Sequence, residues 1–381
     1  MKQTASIIST YSADVFGVCS ALFELGGMVI MHDASGCNST YTTHDEPRWY
    51  DMDSMVYISG LSEMEAILGD DEKLIDDIVS AAEDLKPRFI ALAGTPIPAM
   101  TGFDFQAVAE LIRQRTGIPT FGFPTTGMNN YVHGASMALE MLAREFVRDD
   151  VPKTPELTVN ILGLTPLDFS VNGADAAIAQ FLEDSGFQVL SRWAMGSTLE
   201  EISLTAGAHV NLVVSSTGLA AAKALQARFG IPYVAGVPMG ESFSAQLLEA
   251  LHLAAATGTN QIPGSDLPGG EILILGEALY SRSLAFALEL ETKKAVRVIC
   301  TTDHSPELLR SKDTMALWEE DIAQAMADAQ IVIADPLFRP ICPENVRFIP
   351  LPAESCSGRI YRQQIPNLIT GLADFIREVS L

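Results

Sequence analysis

The sequence predicts an α/β protein organised as three modules with parallel sheets. Three observations point there. Short apolar runs alternate with longer amphipathic ones, the pattern of strand–helix–strand units. One such unit occurs twice in closely similar form, at residues 88–121 and 210–234. Two stretches break the pattern: the charged, proline-bearing Asp149-Asp-Val-Pro-Lys-Thr-Pro155, and Gln261-Ile-Pro-Gly-Ser-Asp-Leu-Pro-Gly-Gly270. They divide the chain into expected modules 1–155, 156–268 and 269–381. With 381 residues, 48% apolar and 19% charged, there is material for several packed cores, and a disordered chain is excluded.

In the first module, the apolar run Met28-Val-Ile-Met31 leads into the loop His32-Asp-Ala-Ser-Gly-Cys-Asn38. The segment Tyr41-Thr-Thr-His-Asp-Glu-Pro-Arg-Trp49 has no apolar period and reads as a loop, either lining a pocket or solvated. Glu63 opens a helix with an acidic first turn and a capping pattern. Arg88-Phe-Ile-Ala-Leu-Ala-Gly94 is a buried strand entering a Gly/Pro loop, followed by a helix at Phe105–Arg115 and a strand beginning in Thr116-Gly-Ile-Pro-Thr-Phe121. In the second module, strands are expected at Thr158–Gly163 and Val210–Ser216, a helix at Leu219–Arg228, and another strand in Phe229-Gly-Ile-Pro-Tyr-Val234. Gly117 and Gly230 suit left-handed helix caps, and the proline two residues on stops each helix. The third module has strand-like runs at Glu271–Gly276, Val296–Cys300 and Gln330–Ala334. In such sheets, ligands bind beyond the carboxyl ends of the strands, often between modules.

Composition excludes several function classes. There are 48 acidic residues against 24 basic ones, a formal charge of −24, so neither a nucleic-acid binder nor an anionic membrane surface is the expected partner. No run of about 18 apolar residues suggests a membrane span. The start lacks the apolar core of a secretory signal, and five scattered cysteines (19, 37, 300, 342 and 356) do not form a disulfide framework, so a reducing cytoplasm is expected. The phosphate-loop, dinucleotide, GxSxG and HExxH motifs are all missing. Gly94-Thr-Pro-Ile-Pro-Ala-Met-Thr-Gly102 resembles a phosphate loop only faintly, because its prolines remove backbone donors; an ordinary turn is expected there.

Two cysteines are candidate metal ligands. Cys19 lies in Phe16-Gly-Val-Cys-Ser20 and Cys37 at a strand end in His32–Asn38, both in glycine-bearing segments that let backbone approach a bulky inorganic group. Free cysteine is also a common core residue, so packing is the competing role. Two thiolates do not complete a four-thiolate cluster. Shared across a two-fold interface, however, they make four. Cys300, Cys342 and Cys356 read as core or loop filling. His32 and His44 flank Cys37, and Arg48 lies in the same stretch, so these three are candidates for a pocket or for proton supply. His209 and His252 read as structural.

Taken in order, several stretches resemble component 1 of nitrogenase and its relatives. These relatives are the nitrogenase α and β subunits, the cofactor-assembly scaffold pair, the dark protochlorophyllide reductase subunits and the Ni-sirohydrochlorin reductive cyclase component. His32-Asp-Ala-Ser-Gly-Cys37 is similar to that family's His-Gly-Pro-x-Gly-Cys loop, Leu61-Ser-Glu-Met-Glu-Ala-Ile-Leu-Gly-Asp70 to its Leu-x-Glu…Phe-Gly-Gly segment, and Thr101-Gly-Phe-Asp104 to its Ile-Gly-Asp-Asp element. Val159–Gly163, Phe229–Tyr233, Ile274-Leu-Gly-Glu277 and Ser357-Gly-Arg-Ile-Tyr361 continue the likeness. The resemblance implies three Rossmann-like modules, an Fe–S cluster bridging two subunits and electrons from a separate ATP-hydrolysing iron protein. Cys19 and Cys37 fall on the family's first two cluster cysteines. Its third would fall near Pro96, where there is none, so a [4Fe–4S] cluster shared by a homodimer is expected in place of a P-cluster. No counterpart is found for the residues that hold the iron–molybdenum cofactor, so the expected reaction is reduction of some small molecule other than dinitrogen. A scaffold for metal-cofactor assembly and a metal-free binding protein are the alternatives.

Overall fold

The computed structural model describes residues 6–7, 12–36, 38–41, 45–264 and 267–381. The strands are β1 (Met28–His32), β2 (Met55–Ile58), β3 (Ile90–Gly94), β4 (Thr120–Phe123), β5 (Thr158–Leu162), β6 (Gln188–Arg192), β7 (Val210–Val213), β8 (Tyr233–Ala235), β9 (Ile272–Gly276), β10 (Val296–Cys300), β11 (Thr314–Met315), β12 (Ile331–Ala334) and β13 (Arg347–Pro350). They form three sheets, ordered β2-β1-β3-β4, β6-β5-β7-β8 and β11-β10-β9-β12-β13, and all their pairings are parallel. The chain is thus α/β. The first two sheets have the same strand order, which is the physical content of the repeated sequence unit.

The inner strands β1, β3 and β5 are buried at every position, as parallel strands covered on both faces must be. Helices Glu72–Leu85 and Phe105–Thr116 cover one face of the first sheet through Leu74, Ile75, Ile78, Val108 and Ile112. Gly117 and Gly230 end their helices in left-handed conformation, at φ +72° and +68°, as expected from the sequence. Ser62 and Glu65 form the expected capping box at the helix Glu63–Leu68.

On the other face, helices Asp14–Leu22 and Tyr131–Glu145 cross in close contact. A side-chain carbon at Gly17 would overlap the Tyr131 carbonyl, and one at Gly134 the Asp14 carbonyl. Gly17 therefore serves a helix crossing. The expected glycine turn for an inorganic group is replaced at residues 14–22 by a packed helix. The segment after β3 also differs from the expected turn. Pro96–Thr101 is a short helix, tolerated because its prolines fall in the first turn, where amide hydrogens have no partner inside the helix.

Candidate functional site

The carboxyl ends of the first and third sheets face a cavity of about 710 Å³. From the first sheet, Asp33 follows β1, the segment Thr95–Ile97 follows β3, and Gly127 follows β4; from the third, Leu337 follows β12 and Glu354–Cys356 and Arg359 follow β13. Asn38, Thr40 and Asp45 complete the wall with the start of the helix Asp14–Leu22. The volume suits a small molecule. Val15, Phe16, Ile97 and Leu337 give it apolar sides.

The polar groups of the wall are mostly satisfied. Asp33 accepts from the Thr95 hydroxyl at 3.0 Å. Asp45 pairs with Arg359 across the two sheets. Glu354 accepts from Arg362 at 2.7 Å and from the Ser170 hydroxyl at 2.8 Å. Asn38 is the exception: it is 4% exposed, and its Nδ2 has no hydrogen-bond partner among the described residues. A buried amide left this way is costly unless something completes it. The Cys356 thiol also lines the cavity and is hydrogen-bonded to Asp335, and burial pushes it up from the ordinary thiol range.

Of the candidate residues, Cys37 and His44 lie outside the described residues. Cys19 is on the helix Asp14–Leu22, 0% exposed and packed in the core. Burial, then the Glu46 carboxylate, push its thiol far up. His32 is buried at the end of β1, with its Nδ1 2.8 Å from the Ser59 hydroxyl and its ring 4.4 Å from that of Phe103. Burial lowers its pKa to about 4, so it is neutral.

Arg48 does not face the cavity. Its guanidinium donates to Glu46 at 2.7 Å, to Glu24 at 2.8 Å, and to the Ser20 and Ala194 carbonyls at 2.8 Å each. It lies over the Phe23 ring at 4.7 Å. The guanidinium thus ties the helix carrying Cys19 to a residue just beyond β6.

A cluster held by thiolates needs dry sulfur ligands and hydrogen-bond donors toward its sulfur atoms. Cys19 offers the first, and Asn38, next in the chain to Cys37, offers an unspent donor. The Asn38 donor fits such a group, whereas the Cys19 thiol is packed in the core and does not line the large cavity. No group of three or more His, Cys, Asp or Glu able to hold a metal ion occurs among the described residues.

The sequence model of the nitrogenase component 1 type oxidoreductases matches residues 14–265, more than half of the chain. The chain belongs to this family. Among curated relatives, it is 28% identical over 190 residues to the nitrogenase iron-molybdenum cofactor biosynthesis protein NifE of Methanosarcina barkeri, covering 47% of this chain and 40% of that protein. It is 26% identical over 181 residues to a subunit of the light-independent protochlorophyllide reductase of Leptolyngbya boryana, covering 45% and 36%. The chain thus spans less than half the length of these relatives. The solved structure of nitrogenase Cp1 at pH 6.5 superposes with a TM-score of 0.70, covering 100% of this chain and 94% of that one, at 17% identity. That likeness shows a shared nitrogenase component 1 fold, including the third sheet beyond the matched residues. Among the described residues, no helix is long and apolar enough to cross a membrane.

Cys356, which the sequence pattern gives to core or loop filling, is the site residue that pattern misses. The signal available was weak: a thiol in Glu354-Ser-Cys-Ser-Gly358, just beyond the last strand of a module.

Proposed function

We propose that this chain is the catalytic, substrate-binding component of a nitrogenase-like reductase. One observation carries the reading. The large cavity lies beyond the strand ends, and its wall includes Asn38, Thr40 and Asp45, so a molecule there lies against the segment that carries Cys37. In this reading two copies of the chain pair, and Cys19 and Cys37 of each hold one [4Fe–4S] group, which supplies low-potential single-electron transfer. A separate ATP-hydrolysing iron protein delivers the electrons, in keeping with the missing phosphate-loop motif here. The setting is the reducing cytoplasm.

The chain's own residues bind and orient the substrate. Val15, Phe16, Ile97 and Leu337 exclude water, and Asn38 donates to an acceptor on the bound molecule or on the group beside it. Neutral His32 holds Ser59, which in turn accepts from the Asp33 amide at 3.1 Å and so sets the start of the cavity loop. Arg48 fixes the helix that carries Cys19. His44, seven residues beyond Cys37 in the sequence, remains the candidate for proton supply. The substrate proposed is a small molecule other than dinitrogen, with tetrapyrroles the first class to try, given the name of the protochlorophyllide reductase relative.

The likeness to NifE favours a second reading, a scaffold that holds a metal cofactor during assembly. One assay separates the two. The anaerobic protein is mixed with an iron protein, ATP and protochlorophyllide or another tetrapyrrole. ATP-dependent reduction supports the reductase. Absence of reduction with transfer of iron to an apo-acceptor supports the scaffold and overturns the reductase.

A further inference from the structure

A second, small cavity of about 50 Å³ lies behind the large one, with room for a few waters. Tyr131, Asp168, Glu277, Tyr280 and Asp335 line it, and Ser355 lines both cavities. These residues come from all three sheets' surroundings. Tyr131 starts the helix after β4, Asp168 follows β5, and Glu277 follows β9. The Asp168 carboxylate accepts from the hydroxyls of Tyr131, of Thr165 at 2.9 Å and of Ser215 at 2.6 Å. Glu277 accepts from the amides of Ser216 at 3.0 Å, Leu279 at 3.1 Å and Tyr280 at 2.8 Å, and from the Ser216 hydroxyl.

We propose that Asp168 is the internal proton store of the reduction site. It is protonated at rest, releases its proton through the small cavity past Ser355 toward a molecule in the large cavity, and is reprotonated by water. This rests on the reductase reading above. Adding two electrons to a double bond X=Y takes two protons and gives HX–YH. The electrons come from a low-potential single-electron donor, the iron protein of that reading. Asp168 gives one proton, passing from carboxylic acid to carboxylate, and solvent gives the other.

Three features support it. The first is position: the carboxyl lines a cavity that shares a wall with the large one. The second is company. The groups facing it are Tyr131 from one helix, Glu277 and Tyr280 from another and Asp335 after β12, with the Glu354–Arg362 pair nearby after β13, so no cation in that lining holds it charged. The third is its titration. Burial, then the charge of Glu277, raise its pKa to about 7, while the Ser215, Tyr131 and Thr165 hydroxyls pull it down. An acid so placed both holds and gives up a proton near neutral pH.

The test uses the full chain. Infrared spectra taken across pH are expected to show a protonated-carboxyl band that disappears as pH rises through about 7, and that is missing in Asp168→Asn. Tyr131→Phe removes a bond that stabilises the carboxylate, so the midpoint moves up. Glu277→Gln removes the opposing charge, so it moves down. Loss of packing does not produce opposite shifts from two neighbours. In the reduction assay, Asp168→Asn is expected to lower the rate roughly 100-fold with substrate binding unchanged, and the alkaline limb of the pH profile is expected to follow the same two shifts. A band that survives Asp168→Asn, a midpoint that neither neighbour moves, or an active chain whose rate is indifferent to Asp168→Asn overturns the proposal. A chain that reduces nothing with its iron protein, yet shows the titrating band, overturns the reductase reading and with it the delivery role of Asp168.

Discussion

Replacing Arg48 with methionine tests whether this residue holds the first sheet's surroundings together. The Glu46 side chain is 0% exposed and is paired with Arg48, which also bonds Glu24 and two backbone carbonyls. Methionine fills part of the volume over Phe23 but leaves Glu46 buried without a counter-charge. Breaking a buried pair from one side costs about 3–5 kcal/mol. The assay is native-state hydrogen exchange of the amides in the helix Asp14–Leu22, which Arg48 anchors through the Ser20 carbonyl. Arg48→Met is expected to lower their opening free energy by about 3 kcal/mol or more. The double variant Arg48→Met/Glu46→Gln is expected to recover about half of that, because it removes the stranded charge. A loss below about 1 kcal/mol, or no recovery in the double variant, would refute the reasoning.

Three further outcomes follow from the same geometry. His32 is neutral in the fold with a pKa of about 4, below its ordinary 6.5, so the unfolded chain binds the extra proton and stability is lost as pH falls through that window. His32→Gln should flatten acid unfolding there by up to about 3 kcal/mol; an unchanged slope contradicts the placement. Gly134→Ala drives a methyl into the Asp14 carbonyl and should destabilise by about 1–3 kcal/mol in urea unfolding, whereas a neutral result would mean the two helices can part freely. Under native alkylation followed by mass spectrometry, iron-free protein should label at Cys342 and Cys356 before Cys19 and Cys300, which are both fully buried; early labelling of Cys19 would show that its helix is open.

Much of the architecture is legible in the sequence because it is local. The apolar run of β3, the following helix and Gly117 form a pattern that repeats at β7 and Gly230, and each part has its own backbone reason. The helix Pro96–Thr101 is not legible, since prolines at its first and third positions look like breakers although the first turn tolerates them. The site is less legible still. Asp168 meets Tyr131 37 residues away in the chain, and Glu277 meets Ser216 across 61 residues, so only the docking of one sheet on another creates those contacts. Cys356 enters the cavity wall through a kink at Ser357 that no hydrophobic period announces. Arg48 reads differently in the sequence and in the fold. A charged residue among loop residues suggested chemistry, while in the fold its donors meet two carboxylates and two carbonyls.

Iron and sulfide content after anaerobic purification, measured beside Cys19→Ser and Cys37→Ser, decides whether the chain carries the redox group a reductase needs. About four irons and four sulfides for every two chains are expected, with both variants losing them. Protein that stays iron-free after reconstitution, or that keeps its iron in both variants, would contradict the reductase built on Cys19 and Cys37.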